Sequence, residues 1–333
     1  MQQFETEIYL RYKQIIERDC RAAIQVSEHA EEPGSASPRS VTLPEIIDRY
    51  DAFCFDGYGT LYNRGSFVYS GAMEWFQSLR RAGKHLRLVT NAASDVDEVL
   101  ARDADKRGFD FSTEETISSG SLLKDLVAEL RSGTAALSRT AAHLSPRKVN
   151  EVYYIGRETG KNVLAKCGIT AVPMDAEPAE PIVAISSAKD TPETYAQAVK
   201  ILQKPGAILL VLNSDAWAPK IPDENGVTLR EPVSGALSER LRRDSACDAN
   251  GGEGCVTFYL GKPFPAIWER VKASLPAGSR VLMIGDTLGT DVYGAKIAGF
   301  DSALVVGRNV PADELETDET ALGIRPDYYL LPV

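Results

Sequence analysis

The sequence predicts an α/β protein built on a parallel sheet, and three observations carry that reading. Short apolar runs alternate with amphipathic helical patterns along most of the chain. Three of those runs end abruptly in a polar residue able to do chemistry: Ala52-Phe53-Cys54-Phe55 at Asp56, Leu86-Arg87-Leu88-Val89 at Thr90-Asn91, and Val281-Leu282-Met283-Ile284-Gly285 at Asp286. No run approaches the roughly 20 apolar residues that span a bilayer. As strands of one parallel sheet, the three runs bring their carboxyl ends to one edge, where open α/β sheets bind ligands.

Taken in order, residues 4 to about 28 place Ile8, Tyr12, Ile15, Ile16, Ala23 and Ile24 at helical spacing among charges. This is an amphipathic helix whose apolar face packs either on its own domain or on a second subunit. Glu31–Pro38 has linker composition. Thr42-Leu43-Pro44-Glu45 reads as a helix start, with Thr42 as N-cap, proline in the first turn and Glu45 closing a capping box. Strands are expected at 52–55, 85–90, 152–155, 181–186, 207–213, 255–260, 280–284 and 302–306, with helices between them over Gly71–Ala82, Glu193–Leu202 and Pro265–Ala273. Ser132–Asn150 is polar and weakly patterned and reads as an inserted loop, and Asp248–Gly254 reads as a flexible turn. There is no internal repeat.

At 333 residues and 44% hydrophobic, the chain has room for two domains. A net charge of −10 argues against nucleic acid or an anionic membrane as the main partner. Five cysteines, an odd number without CxxC spacing, predict neither a metal nor a disulfide framework. Cys54 reads as a buried core thiol. The opening Met-Gln-Gln-Phe-Glu-Thr-Glu has no basic or apolar signal character, so a cytoplasmic location is expected.

Asp56 ends a buried strand and precedes two glycines in three residues. Backbone of that kind turns sharply and comes close to a ligand, which makes Gly57 a candidate substrate contact. An aspartate so placed attacks phosphorus or carbon as a nucleophile, or simply caps the strand through an Asx-type turn. Thr90, Asp286 and Lys262 each have a plain alternative of the same kind: a strand-end threonine, a helix cap, a solvated lysine. Together they are hard to explain as caps.

Asp-x-Tyr-Gly-Thr-Leu (56–61), Val-Thr-Asn (89–91), Gly-Lys-Pro (261–263) and Gly-Asp-Thr-Leu-Gly-Thr-Asp (285–291) resemble, in order, the four motifs of the haloacid dehalogenase superfamily. Spacing most resembles subfamily IIA, with p-nitrophenylphosphatase-like, nucleotide, phosphoglycolate and pyridoxal phosphate phosphatases. Further matches are Leu61-Tyr62, Gly71-Ala72, Tyr154-Ile155-Gly156, Leu212-Asn213-Ser214-Asp215 and Arg325-Pro326-Asp327-Tyr328. The resemblance covers roughly residues 44 to 333. It implies a Rossmann-like parallel sheet core with an inserted α/β cap: residues 1–43 as helix and linker, 44–119 and 255–333 as core, 120–254 as cap. It implies magnesium as cofactor and a small phosphorylated metabolite as substrate, with a homodimer through the cap left open. Asp56 is then nucleophile and metal ligand, Thr90 a hydrogen-bond donor to the phosphoryl group with Asn91 beside it, and Lys262 a charge neutraliser. Asp286 becomes a metal ligand, and Asp291 a ligand through water or an orienting group. In the cap, Asn213 and Asp215 are either substrate contacts or a polar turn after a strand, and Trp217 either stacks on an aromatic substrate or packs the cap.

The chain departs from the family's phosphatases at Tyr58, where they usually carry a second aspartate as general acid and base. The metal is spared, because that position contributes its backbone carbonyl. A phenol of ordinary pKa near 10 is a poor base at neutral pH. Asp-x-Tyr is also the look of the family's true dehalogenases, which lack the acidic metal motif present here. Three readings follow: magnesium-dependent phosphoryl transfer, metal-independent substitution at carbon through an Asp56 ester, and a catalytically weakened binder of a phosphorylated ligand. The two carboxylates of the fourth motif favour the first.

Overall fold

A computed structural model describes residues 2–24, 38–133, 145–224, 226–246 and 255–331. The strands in chain order are β1 (Arg39–Val41), β2 (Ala52–Phe55), β3 (His85–Thr90), β4 (Thr116–Ser118), β5 (Glu151–Ile155), β6 (Thr170–Ala171) and β7 (Ile182–Ile185). They continue as β8 (Ile208–Val211), β9 (Trp217–Pro219), β10 (Arg230–Pro232), β11 (Val256–Tyr259), β12 (Val281–Gly285), β13 (Asp301–Leu304) and β14 (Tyr328–Leu330). Seven of them form one sheet in the order β1-β14-β13-β12-β2-β3-β4, every pair parallel. A second sheet, β11-β8-β7-β5-β6, is also parallel throughout. β9 and β10 make a separate antiparallel pair.

The apolar runs are unbroken because parallel strands are buried on both faces. In β2, Ala52 and Cys54 join one buried cluster while Phe53 and Phe55 join another. In β12, Val281 and Met283 divide from Leu282 and Ile284 in the same way. The first cluster continues through Val152, Ile182 and Ile208 of the second sheet, so the two sheets share apolar packing. β2 lies in the interior of the large sheet, with the central strand β12 on one side and β3 on the other. That is the switch point of strand order, and it sets where a ligand cleft opens.

The capping box at Thr42 forms as expected: its N–H donates to the Glu45 carboxylate at 2.6 Å, opening the helix Leu43–Ile46. The amphipathic helix α1 (Gln2–Ile24) packs on its own chain. Its Ile8, Tyr9, Tyr12 and Ile16 are buried against Ala216, Trp217, Phe264, Leu288 and Val292. Two expectations change. Val256–Tyr259, assigned to the catalytic half by a boundary at 254/255, pairs in register with Ile208–Val211 of the smaller sheet. Its apolar run fits either sheet, and only the pairing decides. Cys255 is disulfide-bonded, against the expectation of no disulfide; spacing alone carries no information about which thiols meet. Cys54 is a free, buried thiol as expected. Most of the expected inserted loop, at 134–144, and the whole turn 248–254 lie outside the described residues. Among the described residues, no helix is long and apolar enough to cross a membrane.

Candidate active site

β2 delivers Asp56 to the switch point, where its N–H donates to the Ile284 carbonyl of β12 at 2.9 Å. The chain then doubles back at once: Leu61 and Tyr62 both donate to the Gly57 carbonyl, and Gly59 donates to Tyr62. Gly59 has φ +100°, and a Cβ there would lie 1.9 Å from Asp286 Oδ2. Only glycine brings the first motif this close to the fourth. Gly59→Ala is therefore expected to lower the midpoint of a urea melt by displacing Asp286, in addition to about 1–2 kcal/mol of left-handed backbone strain. An unchanged midpoint would contradict this packing.

β12 delivers Asp286, after which the wide helical turn Leu288–Val292 brings Asp291 back beneath it. Asp291 Oδ2 accepts the N–H groups of Asp286 and Thr287, each at 3.1 Å. Its Oδ1 lies 2.7 Å from Lys262 Nζ, which also donates to Asp56 Oδ1 at 2.6 Å. The loop after β11 carries Lys262, and Gly261 at φ +89° lets the Lys262 N–H reach Asn91 Oδ1 at 2.7 Å. Asp56, Asp286 and Asp291 are buried and present carboxylate oxygens within 4.8 Å of one another. Asp286 Oδ2 has no hydrogen-bond partner.

Burial pushes the Asp56 carboxyl up to about 7; Lys262 pulls it back, while Asp291 and Asp215 push it further. Burial also raises Asp286 well above the carboxylate range, with Asp56 and Asp291 adding to the rise. Asp215 is raised to about 6, again mainly by burial, with Lys262 and Asn91 opposing. For Lys262, burial disfavours the charge, but Asp291, Asp56 and Asp215 outweigh it and the ammonium is held firmly protonated. One ammonium against four acids leaves the site short of positive charge.

A cavity of about 230 Å³ opens above these groups, lined by Asp56, Tyr58, Thr90, Lys262, Asp286 and Asp291 from the large-sheet side. Asn213, Asp215, Trp217, Arg157 and Lys189 line it from the smaller-sheet side. Ten residues were expected at the site, and Gly57 and Asn91 stand outside the lining. Gly57 sits against Tyr62, its missing side chain leaving room for the phenol. Asn91 is buried and acts as a clamp: its Nδ2 donates to Asp215 Oδ1 at 2.8 Å and to the Lys262 carbonyl at 2.9 Å. Asn213 shapes its own turn, its Oδ1 accepting the Asp215 N–H at 2.8 Å. Tyr58 is half-buried, with its ring edge-on to Tyr62 at 5.2 Å. Burial raises its pKa further, so the phenol stays neutral at physiological pH. Trp217 is buried, packed edge-on against Phe4 at 5.9 Å while lining the cavity.

Sequence reading missed Thr287 and Asn309. Thr287 Oγ1 donates to Asp286 Oδ1 at 3.1 Å and accepts from Asn309 Nδ2 at 2.8 Å. Neither had a signal to find it by: one stands between two acidic motif residues, the other in a featureless loop.

A parallel sheet carrying these carboxylates and a lysine at its switch point defines a haloacid dehalogenase-like hydrolase, and the chain belongs to that family. The family model described as haloacid dehalogenase-like hydrolase matches residues 53–170, and a second HAD-hydrolase-like model matches 259–331. Its relatives make it a phosphatase-type enzyme of subfamily IIA. They include 4-nitrophenylphosphatase of Schizosaccharomyces pombe, 26% identical over 86% of this chain and 93% of that one. Mouse chronophin is 24% identical over 88% of this chain and 94% of its own. Among solved structures, glycerol phosphate phosphatase of Mycobacterium tuberculosis in complex with magnesium superposes with a TM-score of 0.61 at 25% identity, over 85% of this chain and 76% of that one. A possible sugar phosphatase of Cytophaga hutchinsonii shares the fold at a TM-score of 0.69, 22% identity, and 89% and 98% coverage.

Proposed function

We propose that this protein is a magnesium-dependent phosphohydrolase that releases inorganic phosphate from a small phosphorylated metabolite through an aspartyl-phosphate at Asp56. The observation that carries the proposal is the Asp56 carboxylate, buried at the switch point, paired with Lys262 at 2.6 Å and clustered with Asp286 and Asp291. The donor set fits a hard divalent cation: buried carboxylates, a deficit of positive charge, and an Asp286 oxygen with no partner. Asp56, Asp286 and the Tyr58 carbonyl would hold the ion. Asp291, engaged by two N–H groups and Lys262, would ligate through water. When bound, magnesium neutralises charge on the phosphoryl oxygens and on Asp56.

The chain's own residues do the rest. Asp56 forms an oxygen–phosphorus bond as the bond from phosphorus to the leaving oxygen breaks. Water then attacks the phosphorus and returns Asp56 as carboxylate, with phosphate as product. Lys262 stabilises charge on both, and Thr90 donates to the phosphoryl group. Tyr58 stays neutral and supplies no base, so both proton transfers proceed without the usual aspartate. The elements from 120 to 259 act as the cap, presenting Asn213 and Asp215 to the substrate. Relatives named 4-nitrophenylphosphatase and D-glycerol 3-phosphate phosphatase support a small phosphate ester as substrate.

The test is phosphate release from a panel of phosphorylated metabolites with and without magnesium. No release from any ester in either condition rejects the proposal. A pH dependence is expected as well. Asp56 is raised to about 7 and Asp286 well above its ordinary value, and ligation requires the ionised forms, so binding expels protons. Apparent magnesium affinity should rise from about pH 6 to about pH 8, with proton release visible as a buffer-dependent heat in calorimetry. A flat affinity would show that these carboxyls are already ionised in the metal-free site.

A further inference from the structure

α1 lies outside both regions matched by the family models, yet it reaches the active site by two routes. On the first, Tyr12 is buried and its hydroxyl donates to the Ser214 carbonyl at 3.0 Å. Two residues along, the Ala216 N–H donates to the Tyr9 hydroxyl at 3.4 Å. These bonds bracket Asp215, which lines the cavity and accepts from Asn91. On the second route, Glu5 pairs with Arg230 at 2.7 Å, both side chains largely buried. Arg230 also donates to the Asn309 carbonyl at 2.9 Å. Asn309 donates to Thr287, and Thr287 to Asp286.

The helix also touches the fourth motif itself. Gly289 lies between Asp286 and Asp291, and the Tyr9 ring fills the space its side chain would take, at 2.2 Å from the position of a Cβ. The helix thus packs directly under the acidic turn. A helix that only covered apolar surface would need Ile8, Ile16 and the rings. It would not need a buried carboxylate and two buried hydroxyls aimed at backbone and side chains of the site, since each costs desolvation unless its partner is held in place.

We propose that α1 is part of the catalytic apparatus, with Glu5 and Tyr12 as positioning residues: Glu5 sets the Asp286 carboxylate through Arg230, Asn309 and Thr287, and Tyr12 sets the loop that carries Asp215. The inference rests on the phosphohydrolase reading for its kinetic arm and on magnesium binding alone for its other arm. Burial pushes the Glu5 carboxyl up to about 7 against the pull of Arg230, with Asp318 and Glu314 raising it further. The comparison is therefore made near pH 8, where the pair is ionised.

The full-length chain carrying Glu5→Gln, Tyr12→Phe or Glu7→Gln is titrated with magnesium by calorimetry, melted, and assayed for phosphate release. Glu7→Gln is the control: it removes an exposed ion pair between the same helix and Arg243, neither of which lines the cavity. Glu5→Gln is expected to weaken magnesium binding about 10-fold, the lower end of what outer partners of metal ligands contribute. Tyr12→Phe is expected to lower kcat and raise KM, by about 10-fold together in kcat/KM, because the displaced loop carries Asp215, a proposed substrate contact. Glu7→Gln should match wild type in affinity and kcat. If Glu5→Gln and Tyr12→Phe lower only the melting temperature, with affinity and kcat at wild-type values, α1 is a stabilising cover and the proposal fails. Wild type that binds magnesium yet releases no phosphate sinks the hydrolase reading instead, and the Glu5→Gln affinity then judges this one by itself.

Discussion

Asp56→Asn is expected to abolish phosphate release, by at least about 10⁴-fold in kcat, while raising the melting temperature of the metal-free protein. The loss follows from the role of the oxygen: an amide cannot form the covalent intermediate, and groups that act as one unit lose nearly everything when one is removed. The gain in stability follows from charge. Lys262 stands against Asp56, Asp291, Asp286 and Asp215, and Asp56 itself raises the pKa of Asp286. Replacing one of these acids with a neutral isostere relieves repulsion in a buried site, and Lys262 keeps Asp291 as partner at 2.7 Å. Magnesium should then stabilise the variant less than wild type, because a ligand has been lost. The two readouts move in opposite directions, which separates a nucleophile from a residue that merely holds the fold together. Residual activity within about 10-fold of wild type would assign the chemistry to another group; a lowered melting temperature would contradict the charge argument.

What was legible in the sequence divides along physical lines. Strands buried on both faces announce themselves as apolar runs, so β2, β3, β12 and the polar residues ending them were found, and with them Asp56, Thr90 and Asp286. Lys262 was found because glycine and proline punctuate it. β1, β4, β6, β9, β10 and β14 are two or three residues long, too short for any period to show. Asn91 was read as a neighbour of the phosphoryl group, yet its side chain bonds to Asp215 and Lys262, more than a hundred residues away in the chain. The route from Glu5 to Asp286 is invisible for the same reason: each link joins residues that only the folded chain brings together, and none belongs to a motif. The apolar face of α1 was plain, but what it packs on was not, since periodicity marks a face and says nothing of its partner.

Tyr58→Asp is expected to raise kcat for phosphate release by about 10²- to 10³-fold, within the range that a positioned general acid–base contributes. Tyr58 lines the cavity beside Asp56, so an aspartate there faces the same space. Arg157 and Arg107 lower the pKa at this position while Asp103 and Asp95 raise it, so a carboxylate has charged neighbours of both signs. The cost falls on stability: the phenol ring packs edge-on against Tyr62 and beside the apolar cluster under β2, and its loss should lower stability by about 2–4 kcal/mol. A faster but less stable enzyme would mean that the tyrosine trades acid–base power for packing, and that the wild type works on leaving groups that depart without much help from an acid. A slower enzyme would mean that proton transfer is already served from elsewhere in the cavity. Asp215 is the nearest candidate in chemistry, raised to about 6 and presented by the smaller-sheet side. Introducing Asp215→Asn into both the wild type and the Tyr58→Asp variant decides between them. If Asp215 serves as the acid, its loss is severe in the wild type and mild once Tyr58→Asp supplies a second carboxylate. If it does not, the two losses are equal.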